Sequence, residues 1–162
     1  VNGLECHTAG VYGILAEDAT DISIKNVEIS EHIGAAIKFQ RVENSVIENA
    51  FIHHNSDGIY LGSSNELTLQ DNVITHNQRD IFDPLEYGTG VILSASTNVD
   101  LMHNQLDRNS SAGIKLIVSN GIKIINKPVK IYAHFITSMF SLLFKKTTNP
   151  AIASAMINNK DI

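Results

Sequence analysis

A set of polar side chains in this 162-residue sequence has the types needed to bind and transform an anionic ligand. Asp83, Tyr60 and His76 are the candidate catalytic residues, since carboxylate, phenol and imidazole groups move protons. The candidate ligand-binding residues are Lys38, His53, Arg79, Glu86, Arg108 and Lys115. If the ligand is an acidic polysaccharide, a cation beside the carboxylate of a uronate sugar would neutralise that carboxylate. It would also raise the acidity of the adjacent carbon. This chemistry gives epimerisation if a proton returns to the opposite face of the sugar, and a lyase reaction if the glycosidic oxygen leaves.

The backbone that must position these residues is indicated by short apolar segments that recur in the sequence. Five short segments with the pattern Gly-Ile-x-Leu or a close variant begin at Gly13, Ala36, Gly58, Gly90 and Gly113. Subtracting their first positions gives intervals of 23, 22, 32 and 23 residues. Two further apolar sets follow at similar intervals: Ile24, Val46, Leu69, Leu101 and Ile124, and Ile29, Phe51, Ile74, Leu106 and Val129.

Three short strands per repeat predict an all-β fold, a right-handed parallel β-helix of about five 22–23-residue coils. One coil is too thin to bury its apolar residues, but stacking at about 4.8 Å joins them into internal ladders. Leucine-rich repeats have a similar period, but their L-x-x-L-x-L frame is missing here. Asparagine tolerates left-handed backbone, which explains its recurrence at predicted corners. Those corner columns are Asn49, Asn72 and Asn104, and His32, His54, Asn77 and Asn109.

The predicted coils bring the candidate residues into two outward columns on one side of the helix. In a Gly-Ile-x-Leu strand the x residue faces solvent, because side chains alternate between the two faces of a strand. The columns are Leu15, Lys38, Tyr60, Ile92 and Lys115, and Glu31, His53, His76 and Arg108. The long interval contains an insertion at Arg79–Thr89. Either Ile81–Pro84 or Gly90–Leu93 follows the strand of Tyr60, and the first alternative puts Asp83 beside Tyr60.

The repeat divides the chain into β-helix coils over residues 1–132 and a cap with a tail over residues 133–162. A densely apolar stretch at Ala133–Lys146 predicts a helical cap, since the end of a solenoid exposes its hydrophobic ladders. No cap is predicted before the first coil. We therefore expect its open end to meet another chain or further coils.

Composition and charge exclude several functions. Twelve Lys and Arg against 17 Asp and Glu give a net charge of −5, which argues against a nucleic-acid partner. The apolar run Ile131–Phe144 is interrupted and too short for a membrane span. Cys6, the single cysteine, cannot form an internal disulfide. No cofactor is predicted, and no metal, because His53 and His76 lack a third ligand at suitable spacing.

The repeat resembles the right-handed β-helix families of carbohydrate-binding and sugar-processing proteins. Within it, the sequence Phe82-Asp83-Pro84-Leu85-Glu86 resembles the Asp-Pro-His-(Asp/Glu) signature of mannuronan C-5-epimerases. The resemblance implies an acidic polysaccharide as partner, Asp83 as a carboxylate in the substrate groove, and an extracellular or periplasmic location. The sequence departs from the signature at Leu85, in place of its His, and at Asp80, where a catalytic Tyr often precedes it. Tyr60 or Tyr87 could supply that phenol.

Two alternatives remain open from the sequence. Paired carboxylates suited to a glycosidase could arise in the insertion, from Asp80 with Asp83 or Glu86, but their separation is not predictable from spacing. The second alternative is a non-catalytic module, which binds a glycan or forms part of an assembly through the open end of the coils.

Overall fold

The computed structural model describes residues 1–7, 10–78, 88–125 and 131–134, and side chains up to residue 125. Fifteen β-strands make up this part of the chain, with no helix among its residues. They are β1 (Glu5–His7), β2 (Ile14–Thr20), β3 (Ser23–Lys25), β4 (Glu28–Ser30), β5 (Ala35–Glu48), β6 (Phe51–His53), β7 (Asp57–Gly62), β8 (Asn65–Gln70), β9 (Val73–Thr75), β10 (Val91–Ser94), β11 (Thr97–Met102), β12 (Gln105–Asp107), β13 (Ile114–Ile117), β14 (Lys123–Ile125) and β15 (Ile131–His134).

The strands form a parallel β-helix with three faces, and the long strand β5 contributes to two of them. The first face contains β2, the start of β5, β7, β10, β13 and β15. The second contains β3, the end of β5, β8, β11 and β14. The third is the five-stranded sheet β1-β4-β6-β9-β12. The predicted all-β right-handed β-helix of about five coils is therefore confirmed.

Alternation within each strand separates the core from the surface. On β7, Ile59 and Leu61 are fully buried, whereas Tyr60 between them faces outward. Two members of the predicted apolar sets are wrong by one residue. Ile47, not Val46, pairs with Ile24 and Leu69, and Ile52, not Phe51, pairs with Ile29 and Ile74. Phe51 instead is an outward residue with 42% of its surface exposed.

Each of the three corners combines a left-handed residue with a buried polar ladder in the next position. The left-handed residues in the position before the ladder are Asp18, Arg41, Ser63, Ala95 and Val118 at the first corner, Asn26, Asn49, Asp71 and His103 at the second, and Glu31, His54, His76 and Arg108 at the third. The ladders are Ser64, Ser96 and Ser119, then Asn72 and Asn104, then Asn55, Asn77 and Asn109. In every ladder a side-chain oxygen accepts the backbone N–H of the equivalent residue one coil earlier. Buried backbone donors are thereby satisfied where the strands end.

The predicted asparagine columns mixed these two kinds of position. Asn49 and His54 have positive φ angles of 53° and 55° and lie on the outside of their corners. Asn72 and Asn77 are buried members of the ladders, with 1% and 0% exposure. His32 does align with the third ladder, since its backbone N–H donates to Asn55.

The coil that contains the long interval returns to the first face at β10. Val91 pairs with Ile59 and Ile92 with Tyr60, which confirms Gly90–Leu93 as the strand that follows that of Tyr60. The alternative with Ile81–Pro84 in that place is wrong. The insertion itself, residues 79–87, lies outside the described residues. Close stacking here requires glycine, because a Cβ on Gly58 would collide with the carbonyl oxygen of Gly90.

A buried carboxylate holds the chain where it re-enters the stack. Asp57 Oδ1 accepts hydrogen bonds from the backbone N–H groups of Gly88, at 3.0 Å, and Thr89, at 2.8 Å. Asp57→Ala should lower the free energy of unfolding by about 2 kcal/mol, because buried donors lose a charged acceptor. Asp57→Asn keeps an acceptor at this position and should cost less. Urea denaturation of both variants measures the difference, and equal losses would contradict this anchoring role.

Strand β15 lies at one end of the described stack, and strands β1 and β2 lie at the other. Strand β15 pairs Ile131 with Ile114 and includes Ala133 and His134, so the coils continue two residues beyond position 132. The rest of the predicted cap, residues 135–162, lies outside the described residues, as does Val129. At the other end, β1 and β2 are edge strands, and nearby Val1, Leu4, Val11 and Leu15 are exposed.

Candidate functional site

The first outward column forms as the alternation predicts. Register pairs place Leu15, Lys38, Tyr60, Ile92 and Lys115 side by side on five consecutive strands of the first face. Lys38 and Tyr60 are neighbours in this column. Lys115 lies two coils from Tyr60, separated from it by Ile92, which is outward but only 8% exposed.

A lysine between two tyrosines is the most distinctive group on the first face. Lys38 Nζ donates a hydrogen bond of 3.3 Å to the hydroxyl of Tyr12. The same ammonium lies 4.8 Å from the ring centroid of Tyr12 and 5.9 Å from that of Tyr60, both within cation–π range. We call Tyr12, Lys38 and Tyr60 the tyrosine–lysine group. It offers a positive charge for a carboxylate and two aromatic rings for the apolar faces of a sugar.

Two contributors to this group were not predicted. Tyr12 precedes the Gly-Ile-x-Leu strand and so lies outside the repeated columns, but the stacking of coils brings its hydroxyl to Lys38. Gly62 leaves room beside Tyr60, because a Cβ there would approach Tyr60 Cε1 to 2.8 Å. The side-chain amide of Gln40 also occupies that space.

The second predicted column needs one correction. The left-handed column at the third corner is Glu31, His54, His76 and Arg108, so His54 takes the place predicted for His53. His53 belongs to the adjacent column of the third face, where it pairs with Ser30 and Thr75. The ring centroids of His54 and His76 are 5.3 Å apart and their planes differ by 9°, a stacked arrangement.

Two hydrogen-bonded chains lie behind the stacked imidazoles. In the first, His53 Nε2 lies 3.1 Å from Glu28 Oε1, and His53 Nδ1 lies 2.7 Å from His54 Nδ1. In the second, the Thr75 hydroxyl donates to Asp107 at 2.7 Å and lies 3.0 Å from His76 Nδ1. Each stacked histidine is thus linked through one residue to a carboxylate.

The hydrogen bond from Thr75 favours the ionised form of the Asp107 carboxylate. The hydroxyl of Thr75 is the main reason why the pKa of Asp107 is lowered, with smaller contributions from Gln105 and from the charges of Arg108 and His76, while burial opposes them. A carboxylate with a lowered pKa in the folded state stabilises the fold above its unfolded pKa. This contribution is lost as the pH falls through the folded pKa.

Thr75→Val should therefore raise the pKa of Asp107 toward its ordinary value. Unfolding experiments should show that the variant is less stable than the original chain near neutral pH. The difference in the free energy of unfolding between the two proteins should become smaller as the pH falls. An NMR titration of the Asp107 carboxyl measures the shift directly. Gln105→Met is the matched control, because its amide contributes less, and a larger shift in that variant would contradict the assignment.

The predicted site residues fall into two separate groups among the described residues. Lys38, Tyr60 and Lys115 lie on the first face. His53 lies on the third face, and His76 and Arg108 lie at the third corner. The hydrogen bonds and ring contacts between described residues do not join the two groups. Asp83, Arg79 and Glu86 lie outside the described residues, and their roles stay predictions.

Within the ranges that the structure describes, no group of three or more His, Cys, Asp or Glu residues could hold a metal ion. Cys6 is a free thiol whose Sγ lies 3.6 Å from His32 Nε2. The described part of the chain also contains no helix long and apolar enough to cross a membrane.

Sequence comparison agrees with the geometry of the coils. Residues 1–131 match the family described as "Right handed beta helix region", and the chain belongs to this family. No curated protein and no solved structure matches the chain. Membership of the family fits polysaccharide-related β-helix proteins in general.

Proposed function

We propose that the chain processes an acidic, uronate-containing polysaccharide by an epimerase- or lyase-like reaction on its first face. The observation that carries this proposal is the tyrosine–lysine group, in which one ammonium lies against two phenol rings. Sugars pack on aromatic rings, and a uronate adds a carboxylate that an ammonium can bind. The resemblance to mannuronan C-5-epimerases supports the same substrate class and an extracellular or periplasmic location.

Each member of the group has a distinct task in this reaction. Lys38 binds the uronate carboxylate and stabilises the negative charge that develops when the adjacent carbon loses its proton. The phenolic oxygen of Tyr60 takes that proton, and Tyr12 holds the Lys38 ammonium in place through its hydroxyl. Asp83 is proposed as a further carboxylate of the groove on the basis of the sequence resemblance.

The proposal is tested by following proton exchange at the uronate. The folded chain is incubated in heavy water with poly-mannuronate, poly-galacturonate or a neutral glycan, and the sugars are examined by NMR. We expect deuterium at the carbon beside the carboxylate of an acidic polymer, and chain cleavage in addition if the reaction is a lyase reaction. Absence of exchange in both acidic polymers would overturn the proposal.

The second candidate function is a non-catalytic module that assembles through its N-terminal edge. This candidate is supported by the exposed apolar side chains Val1, Leu4, Val11 and Leu15 beside the edge strands β1 and β2. Edge strands carry unpaired backbone groups and readily add another strand. Light scattering should then show a multimer that dissociates in the double variant Leu4→Lys, Val11→Lys. A monomer at all concentrations would exclude self-assembly through this edge.

A further inference from the structure

A column of side chains that can carry positive charge lies at the third corner, away from the tyrosine–lysine group. It consists of His54, His76 and Arg108, one residue on each of three consecutive coils, and we call it the corner stripe. The register of the adjacent column, in which His53 pairs with Thr75 and Thr75 with Asp107, fixes this alignment. His54 and Arg108 are exposed and His76 is half-buried. A ligand that runs along the coil axis would therefore meet all three side chains.

The hydrogen bonds behind His54 define which of its nitrogens faces the ligand. The carboxylate of Glu28 can only accept, so His53 Nε2 donates to it. A neutral His53 then accepts at Nδ1, and the partner nitrogen at 2.7 Å, His54 Nδ1, is the donor. His54 Nε2 is left with a lone pair and without a partner among the described residues.

His76 also forms a hydrogen bond through its Nδ1. The hydroxyl proton of Thr75 is used in the bond to Asp107, so the oxygen of Thr75 accepts from His76 Nδ1–H. His76 Nε2 is then the nitrogen available for a ligand. Both stacked rings thus present the same atom to the outside, with a carboxylate linked to the opposite nitrogen of each ring.

The stacked geometry favours an anion over a metal ion. Zinc–nitrogen bonds of about 2.0–2.1 Å require two imidazoles to converge on one point. The His54 and His76 rings are instead nearly parallel, with centroids 5.3 Å apart. Two protonated rings at this distance repel each other, and an anion that bridges them relieves the repulsion. Uptake of protons and binding of an anion should therefore be linked.

We propose that the corner stripe binds carboxylates of a linear acidic glycan, with an affinity that rises as the pH falls. Histidine is the side chain that changes charge between pH 5 and 8. The coil spacing of about 4.8 Å is comparable with the length of one sugar unit, so successive carboxylates can meet successive coils. Only the class of glycan rests on the proposed function, because the stripe is distinct from the tyrosine–lysine group.

The charged neighbours define the limits of the stripe. Glu31 occupies the same column one coil before His54 and ends the positive region there. Glu28 is hydrogen-bonded to His53, and the exposed Asp107 is hydrogen-bonded to Thr75. Arg108 forms no ion pair with any residue in the described part of the chain, and it supplies a charge that does not depend on pH.

The test is calorimetric titration of the full chain with a poly-galacturonate oligosaccharide at pH 5 and pH 8. Linkage to protonation predicts affinity about tenfold or more higher at pH 5. The double variant His54→Gln, His76→Gln should lose this difference, whereas Arg108→Gln should weaken binding at both pH values. The matched control is His103→Gln, an exposed left-handed histidine at the second corner, which should behave like the original chain.

Several results would overturn the proposal. These are equal affinity at the two pH values, an unchanged pH difference in the double histidine variant, or equally tight binding of a neutral maltooligosaccharide or of inorganic phosphate. A Lys38→Met variant separates the two sites. If the corner stripe binds as proposed, Lys38→Met keeps the pH-dependent binding even where deuterium exchange is lost. Failure of the exchange assay alone would overturn the proposed reaction and leave the corner stripe intact.

Discussion

Asn72→Ala should lower the free energy of unfolding by about 2–4 kcal/mol, among the largest effects of any polar substitution in the described coils. Asn72 is 1% exposed, and its Oδ1 accepts the backbone N–H of Ala50 at 2.9 Å. Its amide nitrogen donates to the carbonyl of Ile47 and to Asn104 Oδ1. Alanine can replace none of these bonds, so a buried backbone donor loses its partner at a corner where the strand ladder has stopped.

Asn49→Ala provides the matched control for this loss. Asn49 was predicted to share a column with Asn72, but it lies outside the same corner, with a φ of 53°. Its amide donates to Asn26 in an exposed position. We expect a cost of about 1 kcal/mol or less, mainly from alanine in the left-handed region. Urea denaturation measures both variants, and equal losses would contradict the distinction between ladder and outer corner.

The difference between these two asparagines shows what the sequence could not determine. Coil length is not constant, since one coil has 23 residues and the next has 22, so a column that is counted from one repeat can slip by one residue in the next. The alternation of inward and outward residues along a strand reveals such a slip only where one of two neighbouring residues is polar and the other is apolar. Val46 beside Ile47 and Phe51 beside Ile52 are apolar pairs, and either member of each fits an inward position. Only the pairing between coils selects Ile47 and Ile52.

The sequence was sufficient to align Lys38 with Tyr60, but it did not indicate the other contacts of the candidate site. Lys38 and Tyr60 lie in strands with clear Gly-Ile-x-Leu alternation, so their common column could be predicted. Tyr12 and Thr75 contribute through contacts between coils, to Lys38 and to Asp107, and no spacing in the sequence indicates those contacts. His53 was misplaced because a left-handed residue at the corner interrupts the alternation between His53 and Asn55.

Tyr60→Phe should lower turnover of the acidic polymer by about 10²–10⁴-fold, the usual contribution of a general acid or base. The phenolic oxygen of Tyr60 is the proton acceptor in the proposed reaction, and phenylalanine keeps the ring but lacks this oxygen. Because Tyr60 is only partly buried and faces outward, the fold should be retained. Initial rates of deuterium exchange measure the loss, and circular dichroism with urea denaturation confirms that the chain is folded.

Tyr12→Phe is the comparison that separates proton transfer from positioning. Loss of its hydroxyl removes the 3.3 Å hydrogen bond to Lys38 but leaves the ring 4.8 Å from the ammonium. One neutral hydrogen-bond partner of a charged group contributes about 1.5–3 kcal/mol, so we expect a loss of about 10–100-fold, smaller than that for Tyr60→Phe. Full turnover in Tyr60→Phe together with complete loss in Tyr12→Phe would reverse the two roles. Since Lys38 contacts both rings, either result would keep the carboxylate-binding site on the first face and would change only the phenol that receives the proton.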